Sequence, residues 1–110
     1  MIMDVITART GGSLDYTFYL KQKDVNGLEG TFDLSNATSI GIYLQRYGES
    51  TLTVSSTMTI VSATEGKVRY LFDLSGFSEG DYLGEIIAYT PAEKVPSQFF
   101  LLRVEKSLPR

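Results

Sequence analysis

Apolar and polar residues alternate with a period of two in one segment after another of this chain, and no stretch of useful length repeats with helical periodicity. Leu14, Tyr16, Phe18 and Leu20 share one side of a strand, with Asp15, Thr17 and Tyr19 on the other. Ile40, Ile42 and Leu44 stand opposite Gly41, Tyr43 and Gln45, and Val68, Tyr70 and Phe72 opposite Lys67, Arg69 and Leu71. Phe100, Leu102 and Val104 repeat the arrangement within Gln98 to Val104. The segment Tyr82 to Tyr89 is apolar on both sides (Tyr82, Ile86, Ala88 and Leu83, Ile87, Tyr89), which predicts a central strand covered on both faces. Successive side chains of a strand point to opposite faces, so this patterning specifies sheets with buried inner sides.

Turn signals separate the runs: Gly11-Gly12-Ser13, Val25-Asn26-Gly27, Tyr47-Gly48, Glu65-Gly66, Gly76 and Glu79-Gly80-Asp81. Short strands at this spacing predict an all-β, immunoglobulin-like antiparallel sandwich of about seven to eight strands. With 110 residues and no linker, low-complexity tract or internal repeat, residues 1–110 read as a single domain. Residues 1–10 form an N-terminal strand or arm, and residues 106–110, with Pro109, a short tail. A single helical turn is expected at Leu34-Ser35-Asn36-Ala37, capped by Ser35 or Asn36.

Composition narrows the chemistry. Thirteen acidic against ten basic side chains give a formal charge of -3, the wrong sign for general nucleic-acid binding. The apolar runs are far shorter than the roughly 20 residues that span a bilayer, and Met1-Ile2-Met3-Asp4 shows neither a basic nor an apolar leader region. No nucleic-acid or membrane partner is therefore expected, and no secretory signal. The chain holds no cysteine and no histidine. Disulfides, thiolate metal sites, the commonest general base and the usual transition-metal ligand are thereby absent.

No catalytic pattern survives inspection. Neither Ser-x-x-Lys nor Gly-x-Ser-x-Gly occurs, and Gly11-Gly12-Ser13 lacks the spacing and lysine of a phosphate loop. Asp73 and Glu85 could form a carboxylate pair if their segments are neighbours, but a sandwich of this size offers little cleft. Asp24-Val25-Asn26-Gly27-Leu28-Glu29 is better explained by an Asn-Gly hairpin than by a calcium loop, because Gly27 stands fourth rather than sixth. The chain is expected to be non-enzymatic, with no catalytic residue, cofactor or metal.

Surplus tyrosines point to a partner surface. Tyr19, Tyr43, Tyr47 and Tyr89 fall on non-core faces or in loops, where tyrosine suits a protein contact. Thr51 to Met58 reads either as a loop or as an edge strand without the lysine or proline that usually protects one, and on the second reading Leu52 and Val54 join the candidate interface residues. Tyr82, after Ser78-Glu79-Gly80-Asp81, resembles the tyrosine corner that precedes strand F of immunoglobulin-like domains. Gly84 stands where antibody domains carry a cysteine.

Four segments in order carry a wider resemblance: Leu14 to Leu20; Thr31-Phe32-Asp33-Leu34-Ser35-Asn36-Ala37-Thr38-Ser39-Ile40; Glu65 to Phe72; and Gly80-Asp81-Tyr82-Leu83-Gly84-Glu85-Ile86. This arrangement resembles the immunoglobulin-like N-terminal domain of the phage baseplate upper protein family and related small virion modules. Asp33, Ser35, Asn36 and Thr38 would satisfy backbone groups at a crossing between sheets, while Leu34 and Ala37 plug the end of the core. The resemblance implies a structural virion protein, made in the host cytoplasm, that assembles with copies of itself or with other virion proteins. Tail, baseplate, neck and capsid-surface positions are all open to it. The alternative is a carbohydrate-binding sandwich recognising a host-surface glycan.

Overall fold

The computed structural model describes residues 4–23, 29–91 and 94–106, and the Asp24 to Leu28 part of the hairpin and calcium readings lies outside them. Among these residues the strands are β1 (Asp4–Arg9), β2 (Ser13–Tyr19), β3 (Lys21–Lys23), β4 (Glu29–Thr31), β5 (Ser39–Arg46), β6 (Val54–Thr57), β7 (Thr59–Ser62), β8 (Lys67–Asp73), β9 (Gly80–Tyr89) and β10 (Lys94–Glu105). Five form one sheet in the order β1-β10-β9-β5-β6, and three form a second in the order β2-β8-β7. Those eight strands make the sandwich, as the alternation requires. β3 and β4 pair only with each other, as a separate hairpin between β2 and β5.

The strand orders are those of an immunoglobulin-like fold, B-E-D in one sheet and G-F-C-C′ in the other. The pairing is not wholly antiparallel as expected: β1 runs parallel to β10, with Val5 beside Leu101 and Arg9 beside Glu105. The Gly11-Gly12 turn then carries the chain across to β2 in the opposite sheet.

The even-numbered faces meet in the core. Phe18, Leu20, Ile40, Ile42, Leu44, Val68, Phe72, Ile86, Phe100 and Leu102 are fully buried, and among the described residues no polar or charged side chain other than the Tyr82 phenol is buried with them. Phe100 links the sheets, its ring centroid 5.0 Å from Phe18 and 6.2 Å from Phe72. Removing each of these rings from water is worth about 1.5–3 kcal/mol. This aromatic cluster holds the two layers together in a chain with no cysteine to bridge them.

A short motif recurs at opposite ends of β8. In Phe32-Asp33-Leu34-Ser35, Asp33 Oδ1 accepts the Ser35 N–H at 2.9 Å and the Ser35 hydroxyl at 2.5 Å. In Phe72-Asp73-Leu74-Ser75, Asp73 Oδ1 accepts the Ser75 N–H at 3.1 Å. Each leucine is 1% exposed, and its carbonyl accepts the N–H three residues on, from Ala37 or Phe77. An aspartate thus closes each turn while the next residue plugs the core. The expected cap at Ser35 or Asn36 is therefore corrected to Asp33, and Ser35 is the donor. Leu34 N–H donates to Ala63, and both the N–H and hydroxyl of Thr38 donate to the Tyr89 carbonyl, so the crossing is tied to both sheets.

Gly66 closes the β7–β8 turn at φ +66, and a Cβ there would lie 2.7 Å from the Phe32 carbonyl oxygen and 2.8 Å from that of Leu20. Only glycine fits that close backbone approach.

Candidate interaction surface

β9 lies between β10 and β5, so its central place in the sheet follows the sequence reading. Its two faces do not share the same surroundings. Tyr82, Gly84, Ile86 and Ala88 are buried inward. Leu83, Glu85, Ile87 and Tyr89 point outward, and among the described residues no further strand is layered over them. The expected cover on the second face is met at Ile87, which is 6% exposed, while Leu83, Glu85 and Tyr89 are only half-buried. The second apolar side of β9 faces away from the sandwich.

Neighbouring strands extend this outer face. The register sets Val5 beside Leu101, Leu101 opposite Leu83, and Leu83 opposite Gln45. The adjacent row runs Phe99, Glu85, Tyr43 and Ser55. Val5 is 57% exposed and Phe99 40% exposed, with Leu83 and Leu101 half-buried. Scattered exposed apolar side chains are ordinary, whereas a contiguous group on one sheet face marks a contact surface. Asp81 and Arg103 bound the patch at one end, their side chains 3.2 Å apart.

Tyr43 and Tyr89 form the other boundary. The Tyr43 ring lies over Gly41, where an added Cβ would come within 2.6 Å of its hydroxyl oxygen. Its hydroxyl meets that of Tyr89 at 2.5 Å. This hydrogen bond, with burial and the nearby charges of Tyr89 and Glu85, holds the Tyr43 phenol above the usual tyrosine range. Ile87, opposite Gly41, is only 6% exposed although it faces outward.

Of the remaining candidates, Tyr47 borders this face beside Leu83, and the others lie elsewhere. Tyr19 is on the outer face of the three-stranded sheet, with Lys67 Nζ 5.7 Å from its ring centroid. Tyr47 and Leu52 are exposed in the loop from β5 to β6, where Tyr47 lines a shallow hollow with Gln45, Arg46, Gly48, Glu49 and Leu83. Within Thr51 to Met58 only Val54–Thr57 form edge strand β6, and Val54 packs against the core rather than facing outward. The structure thus brings Tyr43 and Tyr89 together and separates them from Tyr19, Tyr47 and Leu52.

Sequence reasoning did not single out Val5, Leu83, Phe99 and Leu101, the apolar residues of this outer face. Leu83 carries its signal in the two-sided apolar pattern of Tyr82 to Tyr89, which predicts double burial, whereas Phe99 and Leu101 alternate with the inward Phe100 and Leu102.

Asp73 and Glu85 do not form a carboxylate pair, because β8 and β9 are in different sheets and both side chains point outward. Asp73 is held below the usual carboxylate range by its hydrogen bonds from Ser75, the backbone one foremost. Among the described residues no cluster of three or more acids is placed to hold a metal. Tyr82 closes the corner before β9, its hydroxyl donating to the Ser78 carbonyl at 2.8 Å while its ring packs 5.0 Å from Phe77.

No family model and no curated protein matches this chain. Among solved structures, the chain is similar to part of an endo-beta-1,4-mannanase from Thermotoga petrophila, with a TM-score of 0.58 and 10% identity over 93% of this chain. That match spans 18% of the mannanase chain, and at such identity it shows the fold alone. An uncharacterized protein from Bacillus anthracis str. Ames aligns over 94% of this chain and 85% of its own, at 13% identity and a TM-score of 0.43.

Proposed function

We propose that this chain is a non-enzymatic interaction module that docks onto another protein through the outer face of its five-stranded sheet. The observation that carries the reading is the second apolar side of β9, continued by Val5, Phe99 and Leu101 on the flanking strands. A sheet that ends at solvent alternates apolar with polar residues, whereas one with layers on both sides is apolar throughout. Glu85 and Asp81 apart, β9 has the composition of the second kind and, among the described residues, largely the covering of the first. A protein partner supplies the missing layer. Glu85, in the middle of the patch, favours a partner surface that is apolar with one basic group at its centre.

Within that class we place the protein in a phage particle, as a tail, baseplate, neck or capsid-surface component. The support is the order of motifs from Leu14 to Ile86, which resembles the baseplate upper protein modules. A glycan-binding role is less well served, because the Tyr43 and Tyr89 hydroxyls are engaged with each other.

Mass spectrometry of purified particles tests the virion role, with the chain expected at a fixed copy number. Its production in infected cells without incorporation would refute that role. The docking face is tested by Leu83→Glu combined with Leu101→Glu, which is expected to abolish incorporation while leaving the circular dichroism spectrum and melting of the isolated chain nearly unchanged. Undiminished incorporation of the folded double variant would remove this face from the proposal.

A further inference from the structure

The three-stranded sheet has an open edge at β2. The Leu74 N–H donates to the Gly12 carbonyl, and the Leu20 N–H to the Gly66 carbonyl. These bonds bracket the β2–β8 ladder, in which Leu14 faces Phe72, Tyr16 faces Tyr70 and Phe18 faces Val68. Hydrogen-bonded pairs alternate along an antiparallel ladder, so the even-numbered residues of β2 spend their backbone groups on β8. The N–H and C=O groups of Ser13, Asp15, Thr17 and Tyr19 then point away from the sheet, and no strand among the described residues meets them.

Apart from Asp15, which is ion-paired to Arg69 at 3.6 Å, this edge has little of the usual protection. It is seven residues long, free of proline and lysine, and its register with β8 is unbroken by any bulge. Its inward side chains Leu14 and Tyr16 are half-buried, where Phe18 and Leu20 further along are fully buried. The edge therefore offers backbone hydrogen bonds together with apolar surface left partly uncovered beside them.

We propose that β2 pairs antiparallel with β2 of a second copy across a two-fold axis, joining the two three-stranded sheets into one of six. A strand edge is self-complementary under a two-fold, because every outward donor meets an outward acceptor. Registers that match outward groups pair odd residues with odd residues. Centring on Asp15 would set two carboxylates opposite each other. Centring on Thr17 sets Asp15 opposite the partner copy's Tyr19, the ring over which Lys67 holds its ammonium at 5.7 Å. That register avoids the carboxylate clash and leaves Asp15 in its ion pair with Arg69 of its own chain, 3.6 Å away.

Sedimentation over a wide concentration range tests the proposal with the full chain. A reversible dimer is the expected result. Thr17→Pro removes one outward N–H and no β8 hydrogen bond, so it should leave the fold intact and the chain monomeric. Should that variant fail to fold, hydrogen exchange on the unaltered chain serves instead, with the Thr17 and Tyr19 amides gaining protection as concentration rises. Leu83→Glu separates this contact from the outer-face contact proposed above and should leave the dimer in place. A chain that stays monomeric throughout, a dimer that survives in folded Thr17→Pro, or one lost only in Leu83→Glu would each overturn the proposal.

Discussion

The ring of Phe100 fills the space over Gly84: a Cβ at that glycine would come within 2.2 Å of the Phe100 Cζ. The two residues face each other across β10 and β9, and the glycine lets the ring lie between the sheets against Phe18 and Phe72. Gly84→Ala is expected to cost about 1–3 kcal/mol by overpacking. Phe100→Ala is expected to cost about 3–5 kcal/mol through the cavity it leaves. Denaturant melts of both single variants and the double variant check the coupling, because the alanine at position 84 should cost much less once the ring is gone. Additive costs would show that the two residues do not share that space.

The Tyr82 corner makes a smaller and more local contribution. Tyr82→Phe keeps the ring against Phe77 and removes only the hydrogen bond to the Ser78 carbonyl, so a loss of about 1 kcal/mol is expected. Tyr82→Leu removes the ring contact as well and should cost distinctly more. Equal losses in the two variants would mean that the hydroxyl carries the whole effect and the packing none.

The inner faces were legible because the period-two pattern of Leu14 to Leu20, Ile40 to Leu44 and Val68 to Phe72 states which side is buried. The crossing was legible through Leu34 and Ala37, whose apolar side chains interrupt a polar segment. Tyr82 could be placed because a glycine-containing turn precedes it. The outer face was not legible, because alternation cannot distinguish a strand covered by its own chain from one left for a partner. Leu83 and Ile87 look the same in both cases. The parallel pairing of β1 was hidden for a related reason: its inward residues Ile6 and Ala8 fit either sheet edge, and register and direction leave no trace in apolar spacing.

Asp33 and Asp73 predict an acid-sensitive pair of turns. Both carboxyls sit below the ordinary aspartate range. The Ser35 hydroxyl is the leading cause at Asp33 and the Ser75 backbone N–H at Asp73. A carboxyl with a depressed folded pKa contributes stability that is complete above its unfolded value and lost as pH falls through the folded one. Melting temperature should therefore decline as pH drops below about 4. In Asp33→Asn combined with Asp73→Asn that part of the decline should be absent, since asparagine keeps an acceptor oxygen without the charge. A double variant that tracks the parent chain throughout acid titration would rule out these carboxyls as its source.

Tyr43 predicts the opposite limb. Its phenol is held neutral above the usual range, first by the hydrogen bond with Tyr89, then by burial and by the charges nearby. A group whose folded pKa is raised contributes stability that is fully present below the unfolded value and lost as pH rises through the folded one. Alkaline titration of phenolate absorbance should accordingly contain a late component, accompanied by a fall in stability over the same pH range. Tyr43→Phe should delete that component, and Tyr89→Phe should move it to lower pH by removing the largest cause. Glu85→Gln should move it in the same direction by less. If the late component persists unchanged in Tyr43→Phe, it belongs to another tyrosine, and the Tyr43–Tyr89 bond is not what holds this end of the outer face together.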